Sequence, residues 1–119
     1  MFVNTNNPIS YGQIIVAPEV MMTVIRQAAQ NVPDVASMTS PATSMFRRGQ
    51  GREGIILGQS ENGLKIDIHV VLKHNVNMIE TAQAIQSAVS EAVDQIIGVS
   101  VSSVDVHIED ITFNNNDNA

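Results

Sequence analysis

The run from Leu64 to Lys73 alternates without a break, with Leu64, Ile66, Ile68, Val70 and Leu72 on one side and Lys65, Asp67, His69, Val71 and Lys73 on the other. A period of two held over that length is a strand with one buried and one mostly polar face. The next segment narrows the fold further. Asn77 with Glu80 is a capping arrangement that opens a helix, the helix runs to Ile97, and Gly98 is the residue type best suited to a left-handed C-terminal cap. Met78, Ala82, Ile85, Val89, Ala92, Val93 and Ile96 line one side of that helix. A further strand begins around Val99. Its inward phase shifts between Val101 and Val104 and then holds through Val106 and Ile108, which predicts a bulge near Ser102-Ser103. Strand, helix and strand in that order make a parallel crossover.

Upstream, Gln13-Ile14-Ile15-Val16 reads as a short strand, and Pro18 stands at a first helical position with Glu19 placed for the positive helix end. The spacing of Met21, Ile25, Ala28 and Ala29, widened by Val20 and Val24, predicts a one-sided helix from Pro18 to about Asn31, which Pro33 ends. The Met21-Met22 pair and Met78 fall at core spacing and read as packing residues. Val35 to Met38 is a brief apolar run. Thr39 to Glu53 is a long loop rich in Ser, Thr, Gly and Arg, and Ile55-Ile56-Leu57 resumes strand character. Gln59 to Gly63 supplies a hairpin turn, expected to be longer than two residues. The polar, Asn-containing residues 1–10 and the Asn-rich residues 114–119 read as disordered, leaving one domain over 11–113.

The fold class expected is α/β (α+β): a two-layer sandwich with a mixed sheet of about four strands and two helices on one face. The other sheet face is then open to water or to a partner. With 119 residues, one domain of this size buries enough surface to fold without staples. The chain has no Cys, which excludes disulfides, thiol catalysis and cysteine-ligated metals. Twelve acidic residues against six basic give a net charge of −6, against a surface built for nucleic acid. Four aromatics (Phe2, Tyr11, Phe46 and Phe113) are too few for a base-stacking platform. No stretch is long and apolar enough to insert in a membrane, and the N-terminus lacks the marks of an export signal, so a cytoplasmic protein is expected.

Gly49, Gly51 and Gly54 match the letters of a dinucleotide fingerprint, but they follow a polar loop and lead into a strand rather than a helix. No cofactor is expected from them. Ser60 lacks the strained elbow of a nucleophile and reads as a turn serine. The outward sides of the two clearest strands carry Asp67 and His69, then Asp105, His107 and Glu109 at i, i+2 spacing, so neighbouring strands would bring five ionisable groups together. Such a set could build a divalent metal site or an acid–base pair, or form a solvated face with Lys65 and Lys73 in cross-strand pairs, or serve as a polar interface for another subunit. Arg47, Arg48 and Arg52 are half of the basic residues and sit beside Phe46 in the long loop, where they either form a plain solvated loop of an acidic protein or offer guanidinium groups suited to phosphates, anionic headgroups or a partner's carboxylates.

Tyr11-Gly-Gln-Ile-Ile-Val-Ala-Pro-Glu-Val20 resembles the opening segment of the bacterial alkaline shock protein family. So do Arg52 to Ile56 with Leu64 to Leu72 (its hairpin and central strand), Ile79 to Val93 (its second helix) and Gly98 to Ile108 (its closing segment). The resemblance covers residues 11 to 111. It implies a non-enzymatic, cytoplasmic protein of cell-envelope stress and homeostasis that self-associates and docks to a small transmembrane anchor protein. It transfers no catalytic residue, and a regulatory ligand- or partner-binding module of fatty-acid and lipid metabolism is the alternative it leaves. The partner-binding residues expected are Arg47, Arg48, Arg52, Lys65, Asp67, His69, Asp105, His107 and Glu109, with no metal or cofactor.

Overall fold

The computed structural model describes residues 11–39 and 54–113. The arm expected over residues 1–10, the tail over 114–119 and the loop residues Phe46, Arg47, Arg48, Gly49, Gly51 and Arg52 lie outside the described residues.

Helix α1 spans Pro18–Gln30, strand β1 Val35–Met38, β2 Ile55–Ser60, β3 Gly63–Lys73, helix α2 Met78–Ala92 with a final wider turn Val93–Ile97, and β4 Val101–Thr112. These elements form a two-layer α+β sandwich over a four-stranded mixed sheet. β4 runs parallel to β3 along its length, from Leu64↔Val101 to Lys73↔Thr112, as the strand–helix–strand order requires. On the opposite edge of β3, β1 and β2 lie end to end, both antiparallel to it: β1 pairs with Val70 to Leu72 and β2 with Gly63 to Ile68. They are one edge strand in two pieces. Thr39 bonds through its N–H to the His69 carbonyl at 3.0 Å, and a Cβ on Gly54 would stand 2.6 Å from the Thr39 carbonyl oxygen. The chain thus re-enters the edge of β3 where it left it. Gly54 is buried with φ +82°, and the close approach of two backbones leaves no room for a side chain.

The alternation in β3 decides the layers. Ile66, Ile68, Val70 and Leu72 are completely buried beneath the helices, together with Ile25 and Ala29 of α1, Ile85 and Val89 of α2, and Val93. Burying a branched aliphatic side chain stabilises by roughly 1.5–3 kcal/mol, so this aliphatic layer carries the fold without aromatics. Helix α2 opens as expected, with Asn77 Oδ1 accepting from the Glu80 N–H at 2.9 Å. It closes on Gly98 at φ +83°, whose N–H reaches the Val93 carbonyl five residues back at 3.0 Å. That wider turn changes which side chain faces the core. Ile97 packs against the core cluster, while Ile96, expected inside, is 69% exposed.

Several other expectations are corrected. Gln13 to Val16 is not a strand: β2 and β4 are both available edges, but the arm lies on neither, and Ile14 and Ile15 stand exposed. Val20 and Met78 are also largely exposed. Thr81, not among the expected core positions, is buried, and its hydroxyl donates to Asp34 Oδ2 at 3.4 Å. The hairpin turn is two residues, Glu61-Asn62, rather than longer, because Ser60 pairs directly with Gly63 and its hydroxyl donates to the Gly63 carbonyl and accepts from the Asn62 N–H. Ser60 is a turn serine. β4 starts at Val101, and its register shift leaves Ser102 unpaired, the bulge expected there.

Candidate functional site

The face of the sheet away from the helices carries the polar half of β3 and β4. The parallel register sets Asp67 opposite Asp105 and His69 opposite His107, so the i, i+2 series of each strand becomes one two-column patch. Charge pairs tie the columns together. Lys65 Nζ lies 3.2 Å from Asp105 Oδ2 and 3.5 Å from Asp67 Oδ2. His107 Nε2 donates to Asp67 Oδ1 at 3.0 Å, and His69 Nδ1 donates to Glu109 Oε2 at 2.6 Å. The two imidazoles stack with centroids 4.3 Å apart and planes within 12°.

All six residues expected on this face, Lys65, Asp67, His69, Asp105, His107 and Glu109, are therefore in one constellation. Two details were not among the expectations from the sequence. His69 is only 7% exposed, because the His107 ring and the Glu109 carboxylate cover it. Glu109 occupies a second bulge of β4, where Val70 pairs with Ile108 and Val71 with Asp110. Alternation alone would have placed it in the regular column. The bulge instead re-aims its carboxylate at His69 and moves Asp110 into the pairing position. Lys73, the other lysine considered for cross-strand pairing, makes no such pair among the described residues. Arg47, Arg48 and Arg52 lie outside them.

The electrostatics reflect the pairs. The hydrogen bond to Asp105, with the charges of Asp67 and Asp105, holds the Lys65 ammonium above the ordinary lysine range. Burial pushes the Asp67 carboxyl up. The His107 hydrogen bond and the charges of Lys65 and His107 together outweigh it and hold Asp67 below the ordinary carboxylate range. Each ionisable group thus has a partner within the patch, and the patch lies on a sheet surface rather than around a cleft. Among the described residues, no group of three or more His, Asp or Glu side chains has the arrangement to hold a metal ion. With Lys65 and Lys73 against Asp67, Asp105, Glu109 and Asp110, the face is acidic on balance and suited to a basic surface.

Residues 6–113 match the family of alkaline shock protein 23, described by a cell envelope-related function. The chain belongs to that family. Its relatives include YloU of Bacillus subtilis, 26% identical over 111 residues and covering 88% of this chain and 92% of YloU. Spy1535 of Streptococcus pyogenes is 28% identical over 102 residues, covering 84% and 79% of the two chains. Among solved structures, the chain is similar to MamM-CTD 215-293, with a TM-score of 0.50 at 20% identity, covering 79% of this chain and 99% of that one. That likeness is one of fold, and it agrees with the two-layer architecture of this family member. Among the described residues, no helix is long and apolar enough to cross a membrane.

Proposed function

We propose that this family member is a non-enzymatic adaptor of the cell envelope, which self-associates and docks a membrane-anchored partner through the open face of its sheet. The observation that carries the reading is the paired patch on β3 and β4. Its histidines and carboxylates are bonded to one another on an open sheet surface. This arrangement presents fixed charge to a partner better than it activates a substrate. An acidic, pre-ordered face favours a partner with a basic contact surface, such as the positive juxtamembrane segment of a small membrane protein on the cytoplasmic side. The family's envelope-related description supports the location, and Arg47, Arg48 and Arg52 offer a separate basic element for anionic groups nearby. A stress role belongs to the same reading.

Affinity capture of the tagged full chain tests it, with detergent-solubilised membranes and the soluble fraction analysed separately by mass spectrometry. The adaptor reading expects a small membrane protein together with untagged copies of the chain. Recovery of a soluble enzyme of lipid metabolism, with nothing from the membrane, would replace it with the regulatory-module alternative.

A further inference from the structure

Two features of the molecule are unmatched among the described residues of one chain, and they match each other. The first is the arm Tyr11–Ala17. It is a β-type run with no strand partner, and Tyr11, Ile14 and Ile15 are 91%, 96% and 81% exposed. The second is the outer edge of β2. Beside it the start of α1 leaves an apolar groove of about 450 Å³, lined by Pro18, Met21, Met22, Leu57 and Leu64 among others.

The two outer edges of the sheet, unpaired among the described residues, differ in how they are guarded. β4 carries Asp105, Glu109 and Asp110 and is broken by two bulges, at Ser102 and at Glu109, which are the devices that keep an edge from pairing with another chain. β2 reads Ile55-Ile-Leu-Gly-Gln-Ser60, with no charge, no proline and a bare backbone at Gly58, where an added Cβ would meet nothing within 4 Å. Its partner register is regular from Ile55 to Ser60. It is the unguarded edge.

We propose that the arm of a second copy adds as a strand to the outer edge of β2, so that two copies exchange arms. This rests on the self-association in the proposed function and names its contact. Strand periodicity puts Ile14 and Val16 on one side of the arm and Ile15 on the other. In β2, Leu57 faces the helices, since it pairs with Ile66, and Ile56 faces the open side, since it pairs with Asp67. Ile14 and Val16 therefore enter the groove beside Leu57, Met21 and Met22, and Ile15 covers Ile56 beside Gly58. Neither the arm nor the groove carries a charge, so two copies of a chain with net charge −6 meet where their repulsion is least. Seven residues in extended form reach up to about 23 Å, enough for an arm to cross to a neighbour while Pro18 stays in its own helix. The main-chain bonds supply affinity and the groove supplies register.

The absence of cysteine makes the test clean. Ile15→Cys and Gly58→Cys chains of different tagged mass are mixed and mildly oxidised, and the Ile15→Cys/Gly58→Cys double variant is oxidised alone. The expected result is a disulfide heterodimer in the mixture, exceeding either homodimer. A disulfide closed within single double-variant chains without heterodimer would show the arm folding onto its own β2 and overturn the proposal, as would no cross-link in either sample. Sedimentation velocity of the wild type and of Ile14→Asp/Ile15→Pro separates the two levels. Arm exchange expects the variant's dimer dissociation constant to rise about tenfold or more, with an unchanged thermal midpoint when both chains are compared at a concentration where both are monomeric. Equal association of variant and wild type overturns arm exchange and leaves self-association standing; a wild type that stays monomeric overturns both.

Discussion

On β3 the side chains that face the helices and those that face away are chosen by opposite rules. Toward the helices, Leu64, Ile66, Ile68, Val70 and Leu72 are aliphatic and buried, and each gains from contact with any well-packed neighbour. Away from them, Lys65, Asp67 and His69 gain only from particular atoms at particular distances across to β4. Apolar burial is non-directional and holds the layers together. The polar pairs are directional and weak where solvent reaches them, so they define a surface rather than a core. One strand separates a core from a polar surface, and under the proposed function substitutions on its two faces should therefore break different properties, stability on one and recognition on the other.

The largest effect is expected on the buried face. Ile66→Ala leaves a cavity under α1 and α2 and should cost about 2–5 kcal/mol in urea unfolding, with no effect on partner contacts beyond the loss of folded protein. Next comes the seam of the edge strand. Gly54→Ala demands a Cβ between the carbonyls of Thr39 and His69 at a positive φ, and should cost on the order of 1–3 kcal/mol from backbone strain alone, read as a lower thermal midpoint.

The open face should show itself in pH dependence. The Asp67 carboxyl is held below its ordinary range, so its contribution is present above that range and lost as pH falls through the depressed value. Lys65 is held above its ordinary range, so its contribution is present at neutral pH and lost as pH rises through the raised value. The thermal midpoint of the wild type relative to Asp67→Asn should therefore narrow toward acid. The difference between wild type and Lys65→Met should narrow toward alkali. Curves that stay parallel across both ranges would mean that the pairs contribute nothing to folding.

Much of this was legible in the sequence. Unbroken alternation from Leu64 to Lys73 and the capping residues Asn77 and Gly98 are local signals, and they dictate the strand, the helix and its ends. The ionisable face was legible as well, since the phase of β3 assigns Asp67 and His69 to the side opposite the aliphatic set. What local pattern cannot carry is register between strands. The stacking of His69 on His107 depends on a bulge at Ser102 shifting β4 by one residue, and the hold of Glu109 on His69 depends on a second bulge, which the step from Ile108 to Ile111 marks only as a break in alternation and not as a pairing. Gln13 to Val16 has strand composition, yet composition does not supply a partner edge, and none among the described residues takes it. The wide turn after Val93 moved Ile97 inward in place of Ile96 for a related reason. A helical period read from sequence assumes that hydrogen bonding stays at four residues.

The most direct test of the division between faces is a double reading on one variant, Asp105→Ala/His107→Ala, which removes two exposed members of the patch. The account predicts a cost of no more than about 1 kcal/mol, a thermal shift of a few degrees, together with loss of the membrane partner from affinity capture. Recovery of that partner at the wild-type level by the folded variant would contradict it.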